Sequence, residues 1–503
     1  MQHRCLAAAL VAAGALCDES HLRKYVEATM REDHSTWYDA STESFPSRAA
    51  VGARLRAAIA RRRLVYGVIG YSITVGRGNY FNQSWPAALE RRLARALPGV
   101  AVEVRNMAVG ASPPYPTCAC LAETVGADVD VVAWEFGMTG GNDGEENLFR
   151  SCLRKALELP SRPAFVLIDS QTRRTGVLRR LGALSTVVNL RRAFLASHED
   201  GDGDRWAKQG MPEGCKAAKW HPGVGWHDLT AAALAWHHAT AALAADDGAA
   251  ARPREIRKAG MGNVLHDAWT CRTSMLPRHD AGADLGSIVA SRLNAASLDG
   301  GWAVAMAPSD LLAAHHMNEV CGAGYPDRKL VLLGAAASGP LALALPAAAT
   351  RALFCSPPSS AEYKRLARVE QRDKRFAARA ENPGELRRYG WQEDLPLKYA
   401  SLPSLAFEGD LAVAADGEAL APAVSCASAY LSDALCVAVE LPEAPGPRNV
   451  TLAVAGGFTE ISHVMWSAGR DALPQDALCK AANRYPTGEQ LPRKKKPKKS
   501  GKG

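Results

Sequence analysis

The sequence predicts an α/β fold: a three-layer α/β/α unit built on a parallel sheet, followed by a mostly β C-terminal domain. Three observations lead there. Between Leu64 and about Ala245, short apolar runs alternate with helical patterns, the arrangement of crossover-connected parallel strands covered on both faces. Beyond the charged stretch that starts at Asp246, the texture changes to short apolar runs broken by Gly, Pro and Asp, as in antiparallel β structure. The chain has 503 residues with 47% hydrophobic and 22% charged, enough for more than one domain with a buried core.

The first element is the N-terminus. MQHR is followed by CLAAALVAAGALC, a basic start, an apolar run and small residues, so residues 1–17 are expected to be a secretory signal peptide. A short apolar helix packed on the body is the other reading. The run is too short to span a membrane, and no later stretch is long and apolar enough to be a transmembrane segment. Residues 18–60 read as a helical lead-in to the α/β unit at 61–245.

Within that unit, LVYGVIG (64–70) reads as a buried strand. SWPAALERRLARAL (84–97) reads as a helix, with Ser84 a candidate N-cap and Pro86 in the first turn. VAVEVRNMAV (100–109), VDVVAWEF (129–136) and PAFVLID (163–169) read as strands. GEENLFRSCLRKALEL (144–159), VVNLRRAFLASH (187–198) and the alanine-rich segment after His227 read as helices. Residues 246–262 read as a linker, 263–482 as the β domain and 483–503 as a disordered basic tail. In the β domain, WAVAMA, KLVLLGA, ALALPA, LAVAADG, LCVAVEL and NVTLAVAGGF are the strand candidates, interrupted by an expected exposed helix at 361–381.

Charge and cysteine usage restrict the function classes. Seven of the positive charges lie between Arg493 and Lys502, so the formal +8 falls to +1 for the rest of the chain. A nearly neutral body is not the footprint of a nucleic-acid-binding domain. The tail is a solvated segment, or a nuclear signal or patch for polyanions. Twelve cysteines include four in the α/β unit (Cys118, Cys120, Cys152, Cys215) and six beyond it (Cys271, Cys321, Cys355, Cys426, Cys436, Cys479). Even counts per domain fit disulfides in an oxidising compartment, which agrees with secretion to the exterior or cell surface. Cys118-x-Cys120 has no second matching cluster, which argues against zinc. Asn82-Gln83-Ser84 and Asn449-Val450-Thr451 are glycosylation sequons.

In open α/β sheets, ligands bind beyond the carboxyl ends of the strands. After the first strand stands Gly70-Tyr71-Ser72-Ile73-Thr74-Val75-Gly76, a turn that can present the Ser72 hydroxyl as a nucleophile. After the second comes Asn106-Met107-Ala108-Val109-Gly110, where the N–H of Gly110 can face a developing oxyanion. After the third comes Phe136-Gly137-Met138-Thr139-Gly140-Gly141-Asn142-Asp143, where Asn142 can supply an amide donor. Finally Trp220-His221-Pro222-Gly223-Val224-Gly225-Trp226-His227 precedes a helix. His221 there can relay a proton, whereas His227, inside the helix, is expected to be structural.

These four blocks, in this order, resemble the SGNH/GDSL family of serine esterases over residues 64–245. The resemblance places Ser72 as nucleophile, His221 as base, and Ser72, Gly110 and Asn142 in the oxyanion hole. Three positions depart from the family pattern. Tyr71 stands where an aspartate usually precedes the nucleophile. Four residues, FGMT, separate the third block from its strand, and in the alternative register Thr139 takes the asparagine's place. Ala218 stands where the family has the acid that orients the histidine, which leaves a Ser–His dyad, or a pair backed by a backbone carbonyl or Asp169. The resemblance implies a secreted esterase acting on carbohydrate or lipid O-acyl groups, with no metal or organic cofactor. It also leaves open a weakened hydrolase domain that binds glycan or transfers acyl groups at the cell surface.

Overall fold

A computed structural model describes residues 20–31, 42–43, 48–76, 79, 81–109, 117–118, 120–136, 152–169, 185–189, 222–244, 269–274, 285–293, 295–296, 298, 300–306, 330–335, 337–355, 359–360, 411–421, 423–429, 432–455 and 458–468. The expected signal peptide, linker, 361–381 helix and basic tail lie outside these residues.

The first unit is a six-stranded sheet: β1 (Thr42–Glu43), β2 (Arg63–Gly70), β3 (Ala101–Asn106), β4 (Val131–Glu135), β5 (Ala164–Asp169) and β6 (Ser185–Asn189). Their spatial order is β1-β6-β5-β4-β2-β3. Strands β2 to β6 run parallel, and β1 is antiparallel to β6. The chain leaves β2 for β3 on one side, then returns to place β4 on the other. That reversal is a topological switch point at the carboxyl ends of β2 and β4, the place where open α/β sheets bind ligands.

Helices cover both faces. On one lie α1 (20–31), α2 (Arg48–Ala60), α4 (Trp85–Ala96) and α7 (Val224–Ala244); on the other α5 (Leu121–Val125) and α6 (152–158). The single turn α3 (Ser72–Val75) follows β2. The two-residue strand period sorts the core. Leu64, Tyr66 and Val68 of β2 pack with α2, α4 and α7. Val65 and Ile69 pack with Leu121, Val125, Leu153 and Ala156 on the other face. Helix α4 buries Trp85, Ala88, Leu89, Leu93 and Ala96, a stripe at helical spacing. Ser84 is its N-cap residue with extended backbone, although its side chain makes no capping bond. In α7, small side chains let a helix buried from Leu229 to Ala242 pack against α2 and α4.

One element differs from expectation. Residues 187–198 were expected to be helical, yet β6 runs through Val187, Val188 and Asn189. Thr186, Val187 and Val188 are β-branched, and a parallel ladder to β5 gives the backbone its partners. A short apolar run does not distinguish the two states by pattern, so the open sheet edge decided it.

The second unit is antiparallel. One sheet orders β10 (Leu341–Leu345), β17 (Arg448–Val454), β13 (Leu411–Ala415) and β14 (Glu418–Leu420). Another orders β12 (Ser359–Ser360), β16 (Ser432–Glu440), β11 (Arg351–Cys355), β19 (His463–Ser467) and β7 (Trp269–Thr273), with β15 (Ala423–Ala429) also on β16. Their inner faces share a core that includes Leu343, Val413 and Leu452 of the first and Phe354, Val439 and Val464 of the second. A small sheet of β18 (Phe458–Ile461), β9 (Leu330–Ala335) and β8 (Ala303–Met306) and helix α8 (Leu285–Leu293) complete it.

Cys118 and Cys152 pair within the first unit, with Cα atoms 4.8 Å apart. Cys120 pairs with Cys271 of β7 at a Cα separation of 4.7 Å. Cysteine counts do not reveal partners; α5 packs against β7 and brings these two together. The Arg292 guanidinium also donates to the Glu123 carbonyl across this contact. Cys355 is disulfide-bonded as well.

Candidate active site

The site is built around the turn that follows β2. Gly70 ends the strand, Tyr71 is extended at φ −117° and ψ −159°, and Ser72 opens α3. A Cβ at Gly70 would lie 2.1 Å from Thr74 Oγ1 and 2.8 Å from the Glu135 carbonyl oxygen, so the turn can fold back on the strand only over a glycine. Gly76 closes the turn in the left-handed region at φ 91°, with its N–H bonded to the turn's carbonyls. Ser72 is 8% exposed, at the carboxyl end of β2 and thus at the switch point.

Three neighbouring segments grip this turn. The Val109 N–H donates to the Gly70 carbonyl at 3.2 Å, which lays the segment leading to Gly110 beside the Ser72 turn. Asn106, the last residue of β3, donates from Nδ2 to the Thr74 carbonyl at 3.2 Å and accepts at Oδ1 from the Ala108 N–H. Glu135, the last residue of β4, accepts from the Thr74 hydroxyl and, at 3.2 Å, from the Trp85 indole N–H. Its other oxygen, Oε1, is buried without a hydrogen-bond partner among the described residues. Burial pushes this carboxyl up to about 7, against the two hydrogen bonds that favour its ionised form.

The fourth segment enters α7. Asn79 is fully buried, and its Nδ2 donates to the Pro222 carbonyl at 2.9 Å. His227, in the first turn of α7, is buried and accepts at Nδ1 from the Trp85 backbone N–H at 3.2 Å. Its first turn is thereby fixed against α4. Two other histidines of α7 lie apart from the turn. His238 meets the Tyr66 hydroxyl in the middle of β2 at 3.0 Å, and His237 meets His238. Burial pushes His238 down to about 3 and His237 well below its ordinary value, so neither imidazole is positively charged near neutrality.

Of the residues named from the sequence, Ser72 is placed at the switch point. His221, Gly110, Asn142, Thr139 and Ala218 lie outside the described residues, but their neighbours Pro222 and Val109 are tied to the segments flanking Ser72. Asp169 closes β5, separated from β2 by β4. Thr74, Asn79, Asn106 and Glu135 escaped the sequence reading. Glu135 left a trace, an acid inside the apolar run VDVVAWEF; the other three look like ordinary turn and strand-end residues. Both sequon asparagines, Asn82 and Asn449, are exposed. Among the described residues, no helix is long and apolar enough to cross a membrane.

No protein-family model and no curated protein matches the chain. Matching solved structures include a two-domain esterase active on acetylated mannans, at 11% identity and a TM-score of 0.42, over 82% of this chain and 95% of that one. Another is the same kind of esterase co-crystallised with mannopentaose, at 11% identity and a TM-score of 0.41, with the same coverage.

Proposed function

We propose that this chain is a secreted serine esterase that hydrolyses O-acyl groups of carbohydrates or lipids. The observation that carries the reading is the position of Ser72. It opens a tight turn at the carboxyl end of β2, at the switch point of a parallel sheet, where Pro222 of the histidine segment is anchored nearby.

In this reading Ser72 Oγ attacks the ester carbonyl carbon while His221 takes the hydroxyl proton. The tetrahedral oxyanion rests on the N–H groups of Ser72 and Gly110, with the Asn142 amide or, in the other register, the Thr139 hydroxyl. The C–O bond to the alcohol then breaks, and His221 returns the proton to the leaving oxygen. Water attacks the acyl-serine, His221 accepts its proton, and the carboxylic acid departs as Ser72 is restored. Ala218 gives the imidazole no acid at the family's position, which points to a slow enzyme or one with another acceptor behind His221. Disulfides and the signal-like N-terminus support action in an oxidising compartment.

The test is hydrolysis of a chromogenic acetate ester and labelling by a fluorophosphonate. Ser72→Ala is expected to lower kcat/KM by about 10³-fold or more and to abolish labelling. Equal rates in the two proteins would discard the enzyme and favour the other reading, a glycan-binding domain on a hydrolase scaffold.

A further inference from the structure

We propose that Asn79 is a positioning residue for this reaction, coupling the histidine segment to the nucleophile turn through its hydrogen bond to the Pro222 carbonyl. The inference rests on the esterase reading above.

Asn79 stands three residues beyond Gly76, and its own N–H donates to the Gly76 carbonyl at 2.9 Å. Its backbone is thus fastened to the end of the turn that Ser72 opens. Its side chain is fully buried, and Nδ2 reaches Pro222, 143 residues on, at 2.9 Å. The amide orientation follows from the partner: a carbonyl needs a donor, so Nδ2 faces Pro222, and Oδ1 is left buried without a partner among the described residues. A buried amide with one bond, made to the residue after the proposed base, is a costly way merely to fill space.

Pro222 makes that bond effective. Proline fixes its own φ and restricts the residue before it, which is His221. Holding the proline carbonyl therefore fastens the residue that follows His221 in sequence to the end of the serine turn. The far end of the same segment is held by the Trp85 N–H on His227. The two ties bracket Gly223, just before α7, and Gly225, in its first turn. Effective proton transfer needs the base within hydrogen-bond reach of the hydroxyl, and a displacement of about 1 Å can cost about 100-fold in rate.

The experiment compares wild type, Asn79→Ala and the similarly shaped Asn79→Leu, which has no group that can donate to Pro222. Acetate-ester kinetics are normalised to serine sites titrated by fluorophosphonate, and folding is followed by thermal unfolding. In both variants kcat per titrated site is expected to fall about 10- to 100-fold with KM within about 3-fold, and the labelling rate to fall in parallel. In a Ser72→Ala background the same changes should cost nothing further. Hydrolysis that depends on Ser72 but keeps its kcat per site in both variants overturns the positioning role alone. Failure of both variants to fold also overturns it, by making Asn79 a structural residue. Wild-type rates equal to those of Ser72→Ala overturn the esterase reading, and this role with it.

Discussion

Glu135 is an acid at the end of a strand whose other residues are buried and apolar. Thr74 and Trp85 satisfy one oxygen, and burial raises the carboxyl to about 7. The folded protein therefore holds this proton between the ordinary carboxylate range and neutrality, while the unfolded chain releases it. Stability from this group is fully present below about 4.5 and is lost as pH rises through about 7. Glu135→Gln keeps the shape and cannot ionise. Its unfolding free energy, relative to wild type, is expected to improve by roughly 3 kcal/mol between pH 4.5 and 8 in denaturant titrations. A difference that does not vary with pH would show that Glu135 does not titrate in this range. Ser72 is the opposite case: its residue type and flanking glycines were readable in sequence, because tight turns have local requirements.

The β2–α3 junction turns on one glycine. Adding a methyl at Gly70 drives a Cβ into the Glu135 carbonyl and into Thr74 Oγ1, which is held by its bond to the Glu135 carboxylate. Gly70→Ala is expected to cost about 1–3 kcal/mol in urea denaturation. It should also slow fluorophosphonate labelling of Ser72, because relief of the clash moves the turn. Unchanged labelling with lowered stability would mean that the strain relaxes into β2 instead. Helix α4 and strands β2 to β5 were legible in sequence, since a stripe at helical spacing and short apolar runs bounded by turn residues are local signals. Strand β6 was not. Its few β-branched residues fit either state until β5 supplied an edge to pair with.

Across the whole molecule, the two units have separate cores and are joined by Cys120–Cys271, a link between positions 151 residues apart. The expected linker carries Arg254, Arg257 and Lys258 as trypsin sites, while Arg252 precedes Pro253 and resists cleavage. Limited cleavage there is expected to leave one species on a non-reducing gel and two after reduction. In Cys271→Ser, the two fragments should separate without reductant. Separation of the wild-type fragments without reductant would refute the inter-unit bond.

The sequence established the order of strands β2 to β5 and helix α4, the change from α/β to β texture near residue 246, and the residue types and chain order of the candidate blocks around Ser72 and His221. Those follow from periodicity, turn chemistry and spacing, which act over a few neighbours. Tertiary structure decided the strand order that puts Ser72 at a switch point, the pairing of Cys120 with Cys271, and the bonds that Asn79, Asn106 and Glu135 make to Pro222 and Thr74. These partners lie tens to more than a hundred residues apart, and nothing local in either partner encodes the other. Their meeting depends on which strands lie side by side, and that is settled by burial of the whole core.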